Sequence, residues 1–346
     1  SGWKVDQDGF ELAGAKIGLF CFDETEFTEE TAFLVTESNP IGYFEFDWVP
    51  VGNWLVREIA APKAFVLTAE TFPVEITEDG QTIEITIENQ IIKGTAETTK
   101  VDADFPENKL SGAVFEVYAD VDNNGEFDAE IDKLAGEMAE TEPGLYQMKD
   151  LVYGNYFLHE KESPEFFQRD ENYYPFSITE NEAIVRIETE AGVGFLNKAQ
   201  TGSLKVVKTA DDDKIEGRTF KITGTDFMGN PYEQEFQTDE NGEINVELRV
   251  GEYTVSEVAG EDAKKYILPD DQTVEIKAGE TTTVKMHNRL VPEVPTVPQT
   301  GDHPWTPAVL IGLSVLAVLS AGGLLVLRFA GKKKKATGDE DQGAEE

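Results

Sequence analysis

The amino-acid sequence repeats itself loosely about every hundred residues, and the same order of landmarks occurs three times. Each copy opens with a lysine, has a Gly-x-aromatic segment that ends in glutamate, and closes on a segment that ends in asparagine. The landmarks are Lys4, residues 52–58 and Asn89 in the first copy; Lys100, residues 154–160 and Asn197 in the second; and Lys208, residues 251–257 and Asn288 in the third. A chain of 346 residues with such a repeat is expected to fold into three similar domains in a row.

Much of each copy alternates apolar and polar residues with a period of two, as a half-buried β-strand does. Residues 43–48 (Tyr-Phe-Glu-Phe-Asp-Trp) and 243–248 (Glu-Ile-Asn-Val-Glu-Leu) are examples, and Gly, Asn-Gly and Pro separate such segments. No amphipathic helix pattern is sustained before the C-terminal region. The sequence therefore predicts an all-β chain of three tandem antiparallel β-sandwiches.

Changes in composition place the boundaries between the copies near residues 90–99, 198–202 and 290. The predicted domains are a first β-sandwich at residues 1–92, a second with an acidic insertion loop at residues 93–199, and a third at residues 202–290. Residues 291–300 follow as a Pro-rich, semi-rigid linker.

The C-terminal residues 297–346 combine a polar pentapeptide, an apolar run and a basic cluster in that order. The pentapeptide is Val297-Pro298-Gln299-Thr300-Gly301, the apolar run covers residues 307–330, and the lysines are residues 332–335. A bilayer core of about 30 Å needs about 20 apolar residues in a helix, so the run is predicted to be one transmembrane helix. The lysine excess places the residues after the helix in the cytoplasm and those before it outside.

This order resembles the LPXTG-type cell-wall sorting signal of Gram-positive surface proteins, with Val297 in place of the usual leucine. The resemblance implies that the chain is secreted, cut by a sortase between Thr300 and Gly301, and attached covalently to the cell wall. Its partners are then the sortase and a peptidoglycan precursor, and residues 307–330 hold the chain in the membrane only before sorting. The family's sortase thiolate attacks the threonine carbonyl, so Thr300 is a substrate residue. A plain single-pass anchor is the alternative, and it predicts nothing about residues 297–301.

The chain is strongly acidic, with a formal net charge of −39. Nucleic-acid binding requires basic patches, so we expect no nucleic-acid partner. An acidic surface suits a soluble, self-repelling ectodomain. Because the sequence starts without a methionine or a signal peptide, either it is a fragment or its N-terminal part was removed, and a ligand-binding head is one candidate for an upstream region.

Cysteine and histidine usage limits the chemistry of the chain. Cys21 is the one cysteine, so no internal disulfide can form, and we expect it to be a small buried residue rather than a reactive thiol. An exported chain without disulfides must gain robustness in another way. His159, His287 and His303 occur singly, and the sequence shows no nucleophile–base set and no metal cluster of the catalytic kind. We therefore predict that the chain is not an enzyme and requires no cofactor.

The three copies resemble the collagen-adhesin B-type (Cna-B) and SpaA-like pilin domains of Gram-positive surface proteins, over nearly all of residues 1–290. The strongest motif is a Gly-x-Tyr-x-Leu-x-Glu-x-x-Ala-Pro box, which residues 52–62 match most closely. The second copy has Ser163-Pro164 in place of Ala-Pro, and the third lacks the proline. The resemblance implies immunoglobulin-like or prealbumin-like sandwiches.

In that family, a lysine of the first strand, an asparagine of the last strand and a buried acid form an intramolecular isopeptide bond. Carried over by position, the cross-linked pairs are Lys4–Asn89, Lys100–Asn197 and Lys208–Asn288, and the promoting acids, which act once without turnover, are Glu58, Glu160 and Glu257. Lys205 is a competing donor in the third copy. The alternative is that each lysine and glutamate is an ordinary exposed strand residue.

The chemistry of such a bond follows from burial. The lysine amine must be neutral to attack the amide carbonyl, and burial lowers the pKa of a lysine while it raises that of a carboxylic acid. A protonated acid can then polarise the amide and shuttle protons while ammonia leaves. We expect the aromatic residues of the three boxes to supply the dry surroundings; they are Trp54, Tyr156 and Tyr253.

Residues 120–128 match the front of an Asp-x-Asp-x-Asn-Gly calcium loop. The candidate ligands are Asp120, Asp122, Asn124, Glu126 and Asp128, with Gly125 at the turn. Position 12 of the motif is Ile131 instead of glutamate, so Glu130 or Asp132 would have to substitute in another geometry. An acidic hairpin loop without a metal is the alternative to this predicted Ca²⁺ site.

Three functions remain open from the sequence. The first is a wall-anchored stalk or adhesin component, with a host extracellular-matrix protein or pilin subunits as further partners. The second is an anchoring (basal or minor) pilin subunit, since no Tyr-Pro-Lys type acceptor motif of a shaft pilin occurs. The third is the wall-attachment region of a surface enzyme whose catalytic domain lies upstream of Ser1.

Overall fold

The computed structural model describes residues 1–293. The predicted sorting motif, transmembrane helix and lysine cluster lie outside the described residues. Among the residues that are described, no helix has the length and apolarity to cross a membrane. Residues Ser1–Val291 form a compact unit of β-strands with one 3₁₀ turn at Ala263–Lys265. The all-β prediction is confirmed for this part of the chain.

The first domain is a sandwich of two sheets. Its strands are β1 (Gly2–Asp6), β2 (Lys16–Cys21), β3 (Leu34–Glu37), β4 (Tyr43–Phe44), β5 (Gly52–Ala60), β6 (Thr71–Ile76) and β7 (Ile85–Asn89). The strand order is β4-β1-β7 in one sheet and β3-β2-β5-β6 in the other. The alternating residues that face inward, such as Ile17, Val56 and Ile87, form the core between the sheets.

The second domain has the same plan with an extended acidic loop before β10. Its strands are β8 (Lys93–Asp102), β9 (Val114–Ala119), β10 (Lys133–Glu137), β11 (Ala139–Glu142), β12 (Leu145–Val152), β13 (Gly154–Glu162), β14 (Tyr173–Ile178), β15 (Ile184–Arg186) and β16 (Phe195–Asn197). The sheets are β10-β9-β13-β14 and β11-β12-β8-β15, and β16 also pairs with β8. Phe115, Tyr146 and Phe195 are among the buried residues of its core.

The third domain repeats this arrangement. Its strands are β17 (Thr201–Ala210), β18 (Thr219–Asp226), β19 (Pro231–Gln237), β20 (Glu243–Arg249), β21 (Gly251–Glu257), β22 (Tyr266–Ile267), β23 (Gln272–Ile276) and β24 (Thr281–Leu290). The sheets are β20-β17-β24-β22 and β19-β18-β21-β23. Phe220, Tyr253 and Met286 are buried between them.

The first and last strands of each domain pair in parallel, whereas the sequence predicted antiparallel sandwiches. Strand β1 pairs with β7, β8 with β15 and β16, and β17 with β24. The reason lies in the connectivity. When seven strands reverse direction at each connection, as in the first domain, the first and seventh point the same way. Because these two strands are neighbours, their ladder must be parallel.

Cys21 is exposed, so the prediction that it is buried was wrong. It is the last residue of β2, where the buried side chains Leu19 and Phe20 precede it. Residues 17–20 of the strand are buried, and the cysteine lies at its end, beyond the core. Its hydrophobic character therefore gave no guide to its position.

Arg249 links the second and third domains. Its guanidinium forms ion pairs with the fully buried Asp102 of the second domain and, at 3.1 Å, with Asp226 of the third. A guanidinium suits this position because it is planar, always charged and able to stack on aromatic rings. The rings that surround it belong to Phe105, Phe167 and Phe227.

Candidate functional site

Each predicted lysine–glutamate–asparagine triad bridges the two sheets of its domain. The lysine and the asparagine lie on the parallel first and last strands, and the glutamate lies on β5, β13 or β21 of the facing sheet. In every domain, the lysine pairs with the residue two positions before the asparagine; these partners are Ile87, Phe195 and Met286. Residues two apart on a strand share a face, so the lysine and the asparagine both point inward.

The first triad consists of Lys4, Glu58 and Asn89, and at most 1% of each residue is exposed. The Lys4 Nζ donates to Asn89 Oδ1 at 2.6 Å and to the Ile87 carbonyl at 3.0 Å. The Asn89 Nδ2 donates to Glu58 Oε1 at 2.9 Å, and that oxygen lies 3.8 Å from Lys4 Nζ. The second carboxylate oxygen of Glu58 accepts the backbone N–H of Thr68. These contacts leave the amine against the amide oxygen and the carboxyl against the amide nitrogen.

The second triad, Lys100, Glu160 and Asn197, has the same arrangement with shorter contacts. The Lys100 Nζ lies 2.5 Å from Asn197 Oδ1 and 2.9 Å from Glu160 Oε1. The Asn197 Nδ2 donates to both oxygens of Glu160, at 2.9 and 3.1 Å. The backbone N–H of Asp170 fixes the carboxylate from the other side at 2.8 Å.

The third triad is assembled but less complete. The Lys208 Nζ lies 3.0 Å from Glu257 Oε2, and Asn288 Nδ2 donates to Glu257 Oε1 at 2.8 Å. In this domain the buried Asn288 Oδ1 accepts no hydrogen bond from the described residues. The lysine and the asparagine are thus joined through the glutamate, without the direct contact seen in the other two domains.

Lys205, the competing donor in the third copy, lies apart from the triad. It is three residues before Lys208 on β17, an odd number that turns it to the opposite face of the sheet. There it forms a partly exposed ion pair with Glu243 at 2.7 Å. The structure therefore places Lys208, and not Lys205, beside Asn288.

Burial lowers the pKa of all three triad lysines. It brings the pKa of Lys4 and of Lys100 from 10.5 to about 8, although the nearby Glu58 and Glu160 carboxylates act in the opposite direction. The pKa of Lys208 is lowered for the same reason. Removal from water disfavours the charged amine, so a larger neutral, nucleophilic fraction is present near neutral pH than at an exposed lysine.

Buried apolar residues on the neighbouring strands also contribute dry surroundings to each triad. In every domain, two of these residues are fully buried. One pairs with the lysine in the parallel ladder, and the other pairs with the glutamate on the neighbouring strand. These pairs are Ile87 and Ile17, Phe195 and Phe115, and Met286 and Phe220. The Lys100 Nζ lies 4.1 Å from the centroid of the Phe195 ring. The inward alternation just before each asparagine was the signal that would have identified the first residue of each pair.

The aromatic residues of the boxes are buried, and each of them also fixes a turn. Trp54 Nε1 donates to the Pro50 carbonyl at 2.9 Å, and Tyr156 OH donates to the Val152 carbonyl at 2.7 Å. Tyr253 repeats this bond to the carbonyl four residues before it, that of Arg249. Each ring is buried in the core while its polar atom fixes the turn that precedes the glutamate strand.

Glycines hold the turn beside two of the lysines. Gly42 and Gly242 both have φ near +74°, and their positions face the carbonyls of Lys4 and Lys208. A Cβ atom would lie 2.5 Å from the first carbonyl oxygen and 2.7 Å from the second, which is too close for any other residue. These turns therefore fix the backbone of both lysines.

Of the candidate calcium ligands, Asp120 and Asp122 lie together, and the carboxylate beside them is that of Asp132, one of the two residues named as a substitute at position 12. Asp120, Asp122 and Asp132 each offer an oxygen, and these oxygens lie within 4.8 Å of one another. Backbone N–H groups of the loop donate to the carboxylates of Asp120 and Asp132, and also to Asn124 Oδ1 and Asp128 Oδ1. Three oxygen ligands at this spacing fit Ca²⁺, whose bonds measure about 2.3–2.6 Å. Binding of the ion stays a prediction.

Comparison with known proteins shows that the three domains match one family of domains. The sequence profile described as the SpaA prealbumin-like fold domain matches residues 2–91, 94–192 and 202–290. A search of curated proteins gave no match.

Among solved structures, the Bacillus anthracis TIE protein superposes with a TM-score of 0.60 and 24% identity, over 83% of this chain and 49% of that one. The chain thus spans about half the length of that protein, and the likeness shows the fold alone. A Streptococcal ancillary pilin (17% identity, TM-score 0.31, 84% of this chain and 99% of that one) and the major pilin subunit BcpA of Bacillus cereus (15%, 0.33, 84% and 98%) also match, at scores too low to support an argument.

Proposed function

The chain belongs to the SpaA family of prealbumin-like fold domains, and from this premise we propose that it is a wall-anchored stalk or adhesin component. Its three domains serve as spacers that resist pulling force because a Lys–Asn isopeptide bond ties the first strand of each to the last. The observation that carries the proposal is the triad itself, which recurs at the same register in three successive domains, with the lysine and the asparagine buried in each.

The contacts of the first triad support a direct route to the bond. Neutral Lys4 Nζ attacks the side-chain carbonyl carbon of Asn89, the new C–N bond forms, and the bond to Nδ2 breaks to release ammonia. The Glu58 carboxyl takes the proton that the amine loses and gives it to the leaving nitrogen, with which it shares a 2.9 Å hydrogen bond. Atoms and charges balance without an oxidant, a metal or another cofactor. The event happens once in each domain, so the chain is not proposed to be an enzyme.

The bond would stabilise each domain chiefly by restricting the unfolded chain. It closes loops of 85 residues in the first domain and 97 in the second. By analogy with a disulfide, such loops are worth about 4–5 kcal/mol. A chain with no disulfide of its own would gain in this way the robustness that an exported protein needs. Because the linked strands are the first and the last, a pull on the two ends of a domain would pass through the covalent bond.

Attachment to the wall rests on residues 297–335, which the structure does not describe. The pentapeptide with Thr300 and Gly301, the apolar run and the lysine cluster are the sequence features that support sorting. In this proposal the sortase and a peptidoglycan precursor are the partners, and the protein is displayed outside the cell. The membrane holds it only until the cut after Thr300.

Fractionation of cells that produce the chain tests the anchoring. The protein should resist boiling detergent and appear in the soluble fraction only after enzymatic digestion of peptidoglycan. A Thr300→Ala variant should instead be extracted by detergent and keep its lysine cluster. Release of the unchanged protein by detergent alone would rule out covalent attachment.

An anchoring pilin subunit is the second candidate, and membership of the SpaA family favours it. The two candidates differ in their products. A pilin gives ladders of high-mass, sortase-dependent polymers on denaturing gels, whereas a monomeric stalk gives one wall-linked species.

A further inference from the structure

A backbone N–H group holds the glutamate in two of the three triads. In the first domain it is the N–H of Thr68, which donates to Glu58 Oε2 at 3.1 Å. In the second domain it is the N–H of Asp170, which donates to Glu160 Oε2 at 2.8 Å. Both donors lie 10 residues after their glutamate, in the loop that follows the box. The lysine approaches the other carboxylate oxygen, Oε1, in both domains.

The third domain lacks this bond. Glu257 Oε2 is buried and accepts no hydrogen bond from any residue that the structure describes. The Lys208 Nζ lies 3.0 Å from this same oxygen, whereas Oε1 bonds to Asn288 Nδ2. In the other two domains the lysine approaches the oxygen that also bonds to the asparagine. The lysine of the third domain has thus taken the oxygen that a backbone N–H holds elsewhere.

The pairing of the chain beyond each asparagine identifies the residue at the donor position. In each domain, an aromatic residue of the loop pairs with the residue two positions after the asparagine. These pairs are Phe65 and Ile91, Phe167 and Ala199, and Tyr266 and Leu290. The donors Thr68 and Asp170 come three residues after the aromatic residue. The third residue after Tyr266 is Pro269, and a proline has no N–H to donate.

The local sequences agree with this assignment. Residues 65–68 read Phe-Val-Leu-Thr and residues 266–269 read Tyr-Ile-Leu-Pro, so an aromatic residue, a β-branched residue and a leucine precede the position in both. Beyond it, the valine that pairs with the box aromatic residue lies six residues on in the first domain and five in the third. One substitution and one added residue would therefore give the third domain the loop of the first.

The N–H fixes the direction in which the carboxylate acts. A hydrogen bond to a charged carboxylate is stronger than one between neutral groups, so it keeps one oxygen engaged. Only the other oxygen then faces the lysine and the asparagine. In this state the amine reaches the amide oxygen, at 2.6 Å from Asn89 Oδ1 and 2.5 Å from Asn197 Oδ1. Without the N–H, the second oxygen is free to form an ion pair that competes for the lysine.

We propose that this backbone N–H is a positioning group for the isopeptide reaction, and that Pro269 removes it from the third domain. The inference rests on the proposed cross-linking function. With the N–H in place, the carboxylate directs the amine to the amide carbonyl. With the proline, the ion pair between Lys208 and Glu257 must break before the amine attacks Asn288. The C–N bond then forms and ammonia leaves as in the other domains, but slowly.

A variant of the full chain with Pro269→Thr, and with Ala-Glu in place of Asp270, tests the proposal because it has the loop of the first domain. After a short pulse of synthesis, mass spectrometry of digests follows the branched peptide that joins β17 and β24. The branched peptides of the first two domains are the internal references. The third-domain peptide should form about tenfold faster or more than in the unaltered chain.

Two matched chains isolate the N–H group from the other changes. A chain with Ala-Glu in place of Asp270 that keeps Pro269 has the same loop length but no N–H, and its third domain should stay slow. A chain with Pro269→Ala and the same Ala-Glu has the N–H without the threonine hydroxyl. It should be as fast as the threonine variant, because the donor belongs to the backbone.

The reciprocal change removes the N–H from the first domain. Thr68→Pro should slow the branched peptide that joins β1 and β7 about tenfold or more, whereas Thr68→Ala keeps the N–H and should leave the rate unchanged. Equal third-domain rates with threonine and with proline at position 269 would overturn the proposal. So would a third domain that cross-links as fast as the other two in the unaltered chain. Absence of all three branched peptides would overturn the cross-linking function itself, and this inference with it.

Discussion

Lys4 and Asn89 stand two positions out of register on neighbouring parallel strands, and this offset brings Lys4 Nζ within 2.6 Å of Asn89 Oδ1. The same offset occurs between Lys100 and Asn197 and between Lys208 and Asn288. The parallel pairing of the first and last strands is therefore what places an amine beside an amide in each domain. The carboxyl that faces them comes from the other sheet.

Replacement of Glu160 by glutamine should prevent the bond in the second domain only. The glutamine keeps the shape but has no carboxyl to accept a proton from Lys100 Nζ, which lies 2.9 Å away. The second domain should then lose about 4–5 kcal/mol of loop-closure stabilisation and unfold at lower denaturant concentration. Glu162→Gln, on the same strand but exposed, is the matched control and should leave both the bond and the stability unchanged. A cross-link that survives Glu160→Gln would contradict the role of the carboxyl.

The third domain should form its bond more slowly than the other two. Its lysine pairs with Glu257, and its Asn288 Oδ1 accepts no hydrogen bond from the described residues, so the amine must move before it attacks.

Lys208→Met should abolish the branched peptide that joins β17 and β24, as read by tandem mass spectrometry of a proteolytic digest. Lys205→Met is the control and should leave that peptide intact, since Lys205 faces Glu243. The reverse pattern would show that Lys205 is the donor.

A variant whose first domain cannot form the isopeptide bond, Asn89→Ala, should become more stable as the pH rises. Burial lowers the pKa of Lys4 from 10.5 to about 8, so between these values the unfolded chain binds more protons than the folded one. The unfolding free energy of Asn89→Ala is thus expected to rise with pH between about 8 and 10.5. Below this range the destabilisation that comes from burying the charged Lys4 amine is present in full.

The matched control for this pH effect is the double variant Asn89→Ala/Lys4→Met, which has no amine to titrate. Urea unfolding on both sides of the window measures the difference between the two variants. Parallel pH profiles would mean that the Lys4 amine keeps its usual pKa in the folded domain.

Calcium should bind through Asp132 rather than through the later residues of the sequence motif. Its carboxylate lies with those of Asp120 and Asp122. Asp132→Asn should weaken Ca²⁺ binding in calorimetric titration by about tenfold or more, because it removes one of three charged ligands. Glu130→Gln, a neighbouring exposed carboxylate, is the control and should have no effect. Absence of Ca²⁺ binding to the unaltered chain would identify the cluster as an ordinary acidic hairpin.

Much of the fold could be predicted from the sequence because it depends on local signals. Period-two alternation marked the strands, and the repeated Gly-x-aromatic box marked the strand that carries each glutamate. The order of Lys4, Glu58 and Asn89 indicated which residues belong together, and the structure brings them together. The domain boundaries and the cross-links stay predictions, since a set of contacts does not itself report a covalent bond.

What could not be predicted depends on contacts between distant parts of the chain. The parallel pairing of the first and last strands follows from the number of times the chain reverses direction. The period-two alternation of the sequence does not reveal that number. Arg249 binds Asp102, 147 residues earlier in the chain, and no local pattern marks either residue as a partner of the other. Cys21 is the last residue of a strand whose preceding residues are buried, and there a difference of one position separates a core residue from an exposed one.

The intact mass of the chain ending at Val291, produced recombinantly and measured under denaturing conditions, tests the central claim most directly. Each isopeptide bond removes one molecule of ammonia, so the account predicts a mass lower than that of the sequence by three ammonia molecules. A mass equal to that of the unmodified sequence would contradict the claim for all three domains.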